Sequence, residues 1–384
     1  MIDETAITII GHPWAPIGMG EQLRSHVRAG LAMQLDIKIY DIFRYAQRGD
    51  AAHAGLLDAL EVEKVAGGIR IFHINGDEVE RVLETFAARG NDFAAGINII
   101  VPAWELPKYP AAWVPALRRF DEIWAISAFV QAGLAAAGLA SHLVGQSVQF
   151  DAMPFLPRRH FDIRESAFVL LHFFDLSSYA ARKNPDAVQR VFDRLRSDNP
   201  FADLQLVLKV KEGERGARWG EEFNQDQQIR IIDTPLDTHG VLSLINACDC
   251  FVSLHRAEGF GRGLGEAMAL GRLAMGTNWS GNTDFMTEAN SLLVAAKQVR
   301  LSANEYPHAN GQSWADPDLD CAARLLRATL ADPARGRALA LRGQRDILLS
   351  HGNRAVGLRM LERLEQLAAG ATPRVTARPR RNRT

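Results

Sequence analysis

The sequence predicts an α/β protein made of two doubly wound domains. Three observations carry that prediction. The chain opens on a short apolar strand, a glycine-containing loop and a helix. The alternation of strands and helices breaks at the proline-containing stretch 150–164 and then starts again. The length, 384 residues, is too great for one ordinary core and suits two.

Bulk composition narrows the function classes. Hydrophobic residues make up 47% of the chain, enough for a sizeable core and against disorder. The formal net charge of −1 argues against nucleic acid as a main partner. Three cysteines, Cys248, Cys250 and Cys321, show neither metal-ligand spacing nor a disulfide framework. The opening residues lack the basic start and apolar stretch of a signal peptide. No apolar run reaches the roughly 18 residues of a membrane helix. The expected location is therefore the cytoplasm.

Taken in order, Ala6–Gly11 reads as a buried parallel strand. Gly18-Met19-Gly20 follows as a loop, with a helix over Leu23–Met33. Leu23 stands where a dinucleotide fingerprint needs its third glycine, so that partial match is weak. Asp36–Ile42 reads as the second strand and Ile69–Asn75 as the third. The third ends in His73 and Asn75, polar groups at a strand's carboxyl end, where open α/β sheets bind ligands. His73 has two readings, a histidine bonded to nearby backbone or a donor into the cleft. Asp77–Arg89 is an amphipathic helix, and Asn98–Val101 is the fourth strand. Trp104-Glu105-Leu106-Pro107 comes next; Trp104 either stacks on a sugar ring or caps the sheet edge, and Glu105 is placed to accept hydroxyls. Glu122–Ser127 and His142–Val148 complete the strands of this half.

The alternation resumes with the apolar strand Phe168–Phe174. Arg182 and Lys183 then open a helix, which opposes its dipole unless an anion is shared between them and the helix amides. Lys209 lies near the carboxyl end of the strand Leu204–Val210; either its stem snorkels to the surface or, the favoured reading, it meets a phosphate in the cleft. Ile229–Asp233 and Asp249–Leu254 are further strands. The Asp-x-Asp spacings at 316–320 precede a helix and are read as N-capping, not as a metal site.

The most informative stretch is Phe251–Phe285. Glu258 and Glu266 lie eight positions apart, with Gly259, Gly261, Gly263 and Gly265 between them. A glycine turn that empties into a helix aims unpaired N–H groups at an anion. Glu266, in that first turn, would repel a phosphate and is better suited to hydroxyls such as those of a ribose.

The Glu-x7-Glu spacing and the following Trp279-Ser280-Gly281-Asn282-Thr283-Asp284-Phe285-Met286 resemble retaining glycosyltransferases of family 4, in the branch that assembles bacterial polysaccharides. That family has the GT-B fold, two Rossmann-like domains across a cleft. The resemblance implies an N-terminal acceptor-side domain over 1–150, a linker over 151–165 and a nucleotide-sugar domain over 166–350. It also implies a helix over 351–370 packing back toward the first domain, followed by a basic tail without fixed structure over 371–384. It implies a nucleotide-diphosphate sugar donor, a glycan or lipid-linked acceptor, and no cofactor or metal. Glu258 would position the sugar, with His73 and Lys209 as further catalytic groups. Glu266, Lys183, Arg182, Gly259, Phe260, Gly261, Gly263, Leu264, Gly18 and Gly20 would bind the donor. Trp104, Glu105 and Asn75 would touch the acceptor or sugar.

The usual phosphate-binding arginine falls where this chain has Asp175–Ser178, so Arg182, or the hydroxyls and amides of Ser177-Ser178, must replace it. The tail is read as solvated, with contact to anionic lipid as the alternative. Three other readings stay open: a GT-B nucleotide-sugar epimerase, a dinucleotide-dependent oxidoreductase, and a non-catalytic carbohydrate-binding subunit.

Overall fold

The computed structural model of the chain describes residues 6–45, 51–175, 179–211 and 226–370. The first half builds β1 (Ile7–Gly11), α1 (Gly18–Ala32), β2 (Ile37–Asp41), α2 (Ala51–Leu60), β3 (Gly68–Phe72) and α3 (Val79–Ala88). It continues with β4 (Gly96–Ile100), α4 (Val114–Leu117), β5 (Glu122–Ala125), α5 (Ala128–Ala136) and β6 (His142–Leu143). These strands form one parallel sheet in the order β2-β1-β3-β4-β5-β6. β1 is buried along its whole length, as a central parallel strand must be.

The second half builds β7 (Phe168–Asp175), α6 (Ala180–Lys183), α7 (Pro185–Asp198), β8 (Leu204–Lys211), β9 (Ile229–Ile232), α8 (Thr238–Ala247) and β10 (Cys250–Ser253). Then come α9 (Arg262–Ala269), β11 (Leu273–Thr277), β12 (Leu292–Val294), β13 (Ala296–Arg300), β14 (Ser313–Pro317), α10 (Leu319–Ala331), α11 (Pro333–His351) and α12 (Asn353–Gly370). Its parallel sheet runs β12-β11-β10-β7-β8-β9, the doubly wound order in which the first and fourth strands lie side by side. The strand order reverses between β7 and β10 here, and between β1 and β3 in the first sheet. Ligand crevices of open sheets lie at such reversals.

β7 is apolar on both faces. Val169 and Leu171 join the core shared with the first sheet, while Leu170 joins a second core with Val188, Phe192 and Leu195 of α7. The last helix, α12, packs on α1, where Gly357 lies against the Ala29 carbonyl with no room for a Cβ. Arg363 of α12 also grips Glu122 of β5 with two parallel bonds of 2.7 and 2.6 Å.

Three local expectations change. α1 starts at Gly18, not Leu23, so Gly18 and Gly20 form its first turn instead of a loop. Gly20 is needed there because a Cβ would run into the Ala15 and His12 carbonyls. The strand expected over His142–Val148 pairs only at His142 and Leu143; the chain then leaves the sheet, and Val148 N–H bonds His351 of α11. The sequence from the strand Ser291–Val294 to Gln312 reads as irregular and polar, but its start, Ala296–Arg300, pairs as β13 with β14 in an antiparallel hairpin. Asp318 does cap α10, accepting from the Asp320 and Cys321 amides. Ser177-Ser178 and the tail 371–384 lie outside the described residues.

Candidate active site

The second sheet's reversal point carries a tight cluster of buried charge. After β7, α6 ends in Asn184, whose left-handed backbone (φ 58°) breaks the helix so that Pro185 can start α7. The Asn184 amide donates to Leu254 O at 3.0 Å and ties this turn to the loop after β10. That loop is built from backbone packed on backbone. Glu258 N–H donates to Ser280 Oγ at 2.9 Å, and Gly281 N–H to Glu258 O at 3.0 Å. A Cβ on Gly281 would collide with the Gly259 carbonyl. Gly261 has φ of 89°, a conformation that favours glycine, just before α9.

This loop holds the Glu258 carboxylate, 8% exposed, between two cations. Lys183 Nζ bonds Oε1, and Arg182 Nη1 lies 3.2 Å from Oε2. Burial alone would raise the Glu258 pKa, but Lys183 and Arg182 outweigh it and hold the group down at about 2. Arg182 also donates to Ala257 O at 3.0 Å and lies 3.9 Å from Glu105 of the first half. Glu105 accepts from Tyr306 Oη at 2.8 Å. Behind the cluster, His172 and His255 are both fully buried. His172 Nδ1 bonds Val252 O at 2.8 Å, and burial pushes its pKa down to about 4.

Glu266 sits in a second cluster. Its Oε1 accepts from Arg262 Nε at 2.8 Å, one helical turn earlier. The other end of Arg262 reaches Glu21 of α1 at 2.8 Å, and Arg24 holds the second Glu21 oxygen at 2.7 Å. Burial raises the Glu266 pKa; Arg262 opposes that rise, and nearby Glu21 adds to it. Arg262 lies between Glu258 and Glu266, but its partner Glu21 is 241 residues away in sequence. Periodicity carries no signal for such a pair.

The first sheet's reversal point combines buried imidazoles and amides with the Glu21 cluster in the first turns of α1. His73 is fully buried, with Nδ1 3.2 Å from Gln22 Nε2. Its ring meets His26 edge-on at 4.8 Å between centroids. Burial and His26 push the His73 pKa well below the usual imidazole range. Its Nε2 has no hydrogen-bond partner among the described residues. Beside it a recess of about 620 Å³ is lined by residues including His12, Asn75, Asp77, Glu78 and Arg81. Asn75 faces this recess while its Oδ1 accepts from Ala103 N–H at 3.0 Å.

Several expected contact residues occupy other surroundings. Trp104 is 5% exposed, set edge-on against Trp113, Tyr109 and Tyr306, with Nε1 bonded to Lys108 O. Its ring is therefore packed as a wall, the sheet-edge reading, and presents no face for stacking a sugar. Phe260 and Leu264 are core side chains; Phe260 packs on Phe285 and His351. Only their backbone remains for a donor. Gly259 lies against the Trp104 carbonyl, and Gly263 against the Phe251 ring. Lys209 stands apart from Glu258: its Nζ donates to Val210 O at 2.9 Å, and burial, offset by Asp233, lowers its pKa. Gly18 opens on free space at the start of α1. So the structure brings together Lys183, Arg182, Glu258 and Glu105, holds Glu266 one cluster away, and sets Lys209 elsewhere.

No protein-family model and no curated protein matches the sequence. Solved structures do match in fold. HepE of Anabaena, solved with UDP and glucose, is 15% identical, with a TM-score of 0.66 over 94% of this chain and 100% of its own. Sucrose-phosphate synthase of Thermosynechococcus elongatus is 16% identical, with a TM-score of 0.66 over 96% of this chain and 100% of its own. A glycosyltransferase of Rickettsia africae is 12% identical, with a TM-score of 0.65 over 95% and 98%. With its two doubly wound parallel sheets, this chain has the GT-B architecture that those glycosyltransferases share.

Proposed function

We propose that the chain is a retaining, metal-independent glycosyltransferase of family 4 type. It moves a hexose or deoxyhexose from a nucleotide-diphosphate sugar to a glycan or glycolipid acceptor in surface-polysaccharide synthesis. The observation that carries this reading is the Lys183–Glu258–Arg182 cluster at the β7/β10 reversal, with Glu266 one motif length further on. Neighbours of the same fold solved with UDP and glucose, or with UDP-glucose, support the donor class.

In this reading the donor diphosphate enters beside Lys183, Arg182 and the amides after Gly261. Lys183 then divides its charge between Glu258 and the phosphates. Charge developing on the leaving diphosphate is met by these fixed cations and N–H groups, the largest expected contribution to rate. Glu258, freed from Lys183, accepts hydroxyls of the sugar. Glu266 takes the ribose hydroxyls. The acceptor occupies the recess on the first sheet, which Asn75 lines, while His73 stays buried outside that lining. Bond breaking and bond making take place on one face of the sugar, which preserves the anomeric configuration.

Thermal-shift and calorimetric titration with UDP, GDP and TDP sugars tests the donor assignment. The expected result is stabilisation by one nucleoside diphosphate family, unaffected by EDTA. No affinity for any of them removes the reading. Release of a free sugar without acceptor would instead mark an epimerase or hydrolase.

A further inference from the structure

The helix α11 is built inside out. Its buried positions are small ones, Gly336, Ala340 and Gly343, with Ile347 and His351 further on. Gly343 has no space for a Cβ against the Asn290 carbonyl, and Gly336 is closed off by Thr329. The helix thus lies close on its neighbours and turns large apolar side chains outward. Leu341 is 65% exposed, Leu349 72% and Leu348 37%. An amphipathic helix of a globular protein buries such residues. A single exposed leucine needs no explanation, but a row of them along one helix does.

Cations flank the row. Arg335, Arg337, Arg342 and Arg345 are exposed on the same helix, and Arg354 is exposed at the start of α12, beside Leu358 at 46%. Two acids are close. Asp332 caps α11 by accepting from the Arg335 amide, and Asp346 is bonded to Arg345 and Asn290. Asp346 thus offsets Arg345, one of the five exposed cations, and Asp332 lies at the far end of the helix. Further along α12, exposed Glu362 and Glu365 bound the patch.

Leucines set among arginines match the surface of an anionic bilayer: the apolar groups enter the headgroup boundary and the guanidinium groups meet phosphates. We propose that the outward face of α11 docks this protein on an anionic membrane. Docking does not depend on the donor reaction. It would bring the enzyme to a lipid-linked acceptor if the proposed transfer is correct.

Co-sedimentation with phosphatidylcholine vesicles, with and without phosphatidylglycerol, tests this on the full chain. The wild type should sediment with the anionic vesicles and be released by high salt. Leu341→Ser with Leu349→Ser should lose about tenfold or more in vesicle affinity, since each exposed leucine gives up its burial. Arg342→Glu with Arg345→Glu should lose at least as much. Both pairs are exposed, so an unchanged melting temperature would show that the fold is intact. Two outcomes overturn the proposal. One is equal vesicle affinity in these variants, with loss only when the five tail arginines (Arg374, Arg378, Arg380, Arg381 and Arg383) become serine. The other is a dimer in vesicle-free buffer that Leu349→Ser dissociates, which would make this face an interface between copies. Nucleotide binding is read separately, so failure here leaves the transferase reading untouched, and the reverse holds too.

Discussion

The two strand-order reversals are built on the same topology and carry different chemistry. Beyond β7 and β10, a carboxylate is wedged between two cations, with Glu105 and Tyr306 tied in behind. Beyond β1 and β3, imidazoles and amides surround His73, and the buried carboxylate of α1, Glu21, is closed in by three arginines, Arg24, Arg28 and Arg262. A site that must hold an anion needs fixed cations whose desolvation is offset while the site is empty of ligand. Glu258 supplies that offset for Lys183 and Arg182. A site that must hold a polyol needs donors and acceptors at low net charge. The difference teaches that doubly wound sheets fix where a ligand lies, while the loops decide its charge.

The sharpest way to break the comparison is Glu258→Ala. Two buried cations lose their counter-charge, and the sugar loses an acceptor. Transfer should fall by roughly 10²–10³, the size of one lost electrostatic contact in an active site. Binding of nucleoside diphosphate should persist or tighten, because Lys183 and Arg182 become free to meet it. Single-turnover transfer and calorimetry on the same variant separate the two. Full activity would remove the role given to Glu258.

Acidification probes both halves at once. His26 in the first half and His172 in the second are both held near pKa 4 by burial, against an ordinary value of 6.5. The unfolded chain therefore takes up these protons first as pH falls. Their contribution is fully present above about 6.5 and is lost as pH drops toward 4. Each should remove about 1.4 kcal/mol of stability per pH unit within that window. Melting temperature between pH 7 and 5 measures these two together with the other buried imidazoles, His73, His255 and His351, whose pKa burial also lowers. His26→Gln and His172→Gln should each flatten the slope, and a slope unchanged in both would show that these rings are protonated in the fold.

Glu266→Ala should weaken nucleotide binding by about ten- to a hundredfold, the value of one or two hydrogen bonds to a charged group. Arg262 would keep its bond to Glu21, so the contact between α9 and α1 should survive and the melting temperature should move little. Donor affinity that stays constant while stability collapses would make Glu266 a structural partner of Arg262 and nothing more.

Much of this was legible before any coordinates. Alternating apolar runs and glycine turns marked both sheets, because parallel central strands admit little else. The Glu258 to Glu266 spacing marked the loop, because its glycines answer to fixed geometry: Gly261 has a positive φ and Gly259 lies against the Trp104 carbonyl. What stayed hidden was of two kinds. Partners far apart in sequence, such as Glu21 with Arg262, leave no periodic trace. Residues that fit their neighbours equally well in or out of a site, such as Trp104, are decided only by what surrounds them. Lys209 belongs there too: a lysine at a strand end reads as a phosphate ligand until its Nζ is seen on Val210 O. Lys209→Ala should therefore cost turnover less than Lys183→Ala does.

Tyr306 is the smallest and finest test of the contrast between the halves. It stands between β13 and β14, on the hairpin that the sequence showed only as polar and irregular. The hairpin reaches across to the first half: Gln312 exchanges bonds of 3.0 and 2.6 Å with the Lys108 backbone, and Tyr306 donates to Glu105. Glu105 in turn faces Arg182, which faces Glu258. Tyr306→Phe removes one hydroxyl and no packing, so stability should drop by about 1 kcal/mol. Glu105, released on one side, should swing its charge toward Arg182 and draw that guanidinium away from the donor site. The expected signature is a several-fold rise in donor KM with kcat nearly unchanged. If kcat falls and KM holds, the hydroxyl acts on the reacting sugar itself, and the charged cluster extends further across the cleft than the contacts among these four residues indicate.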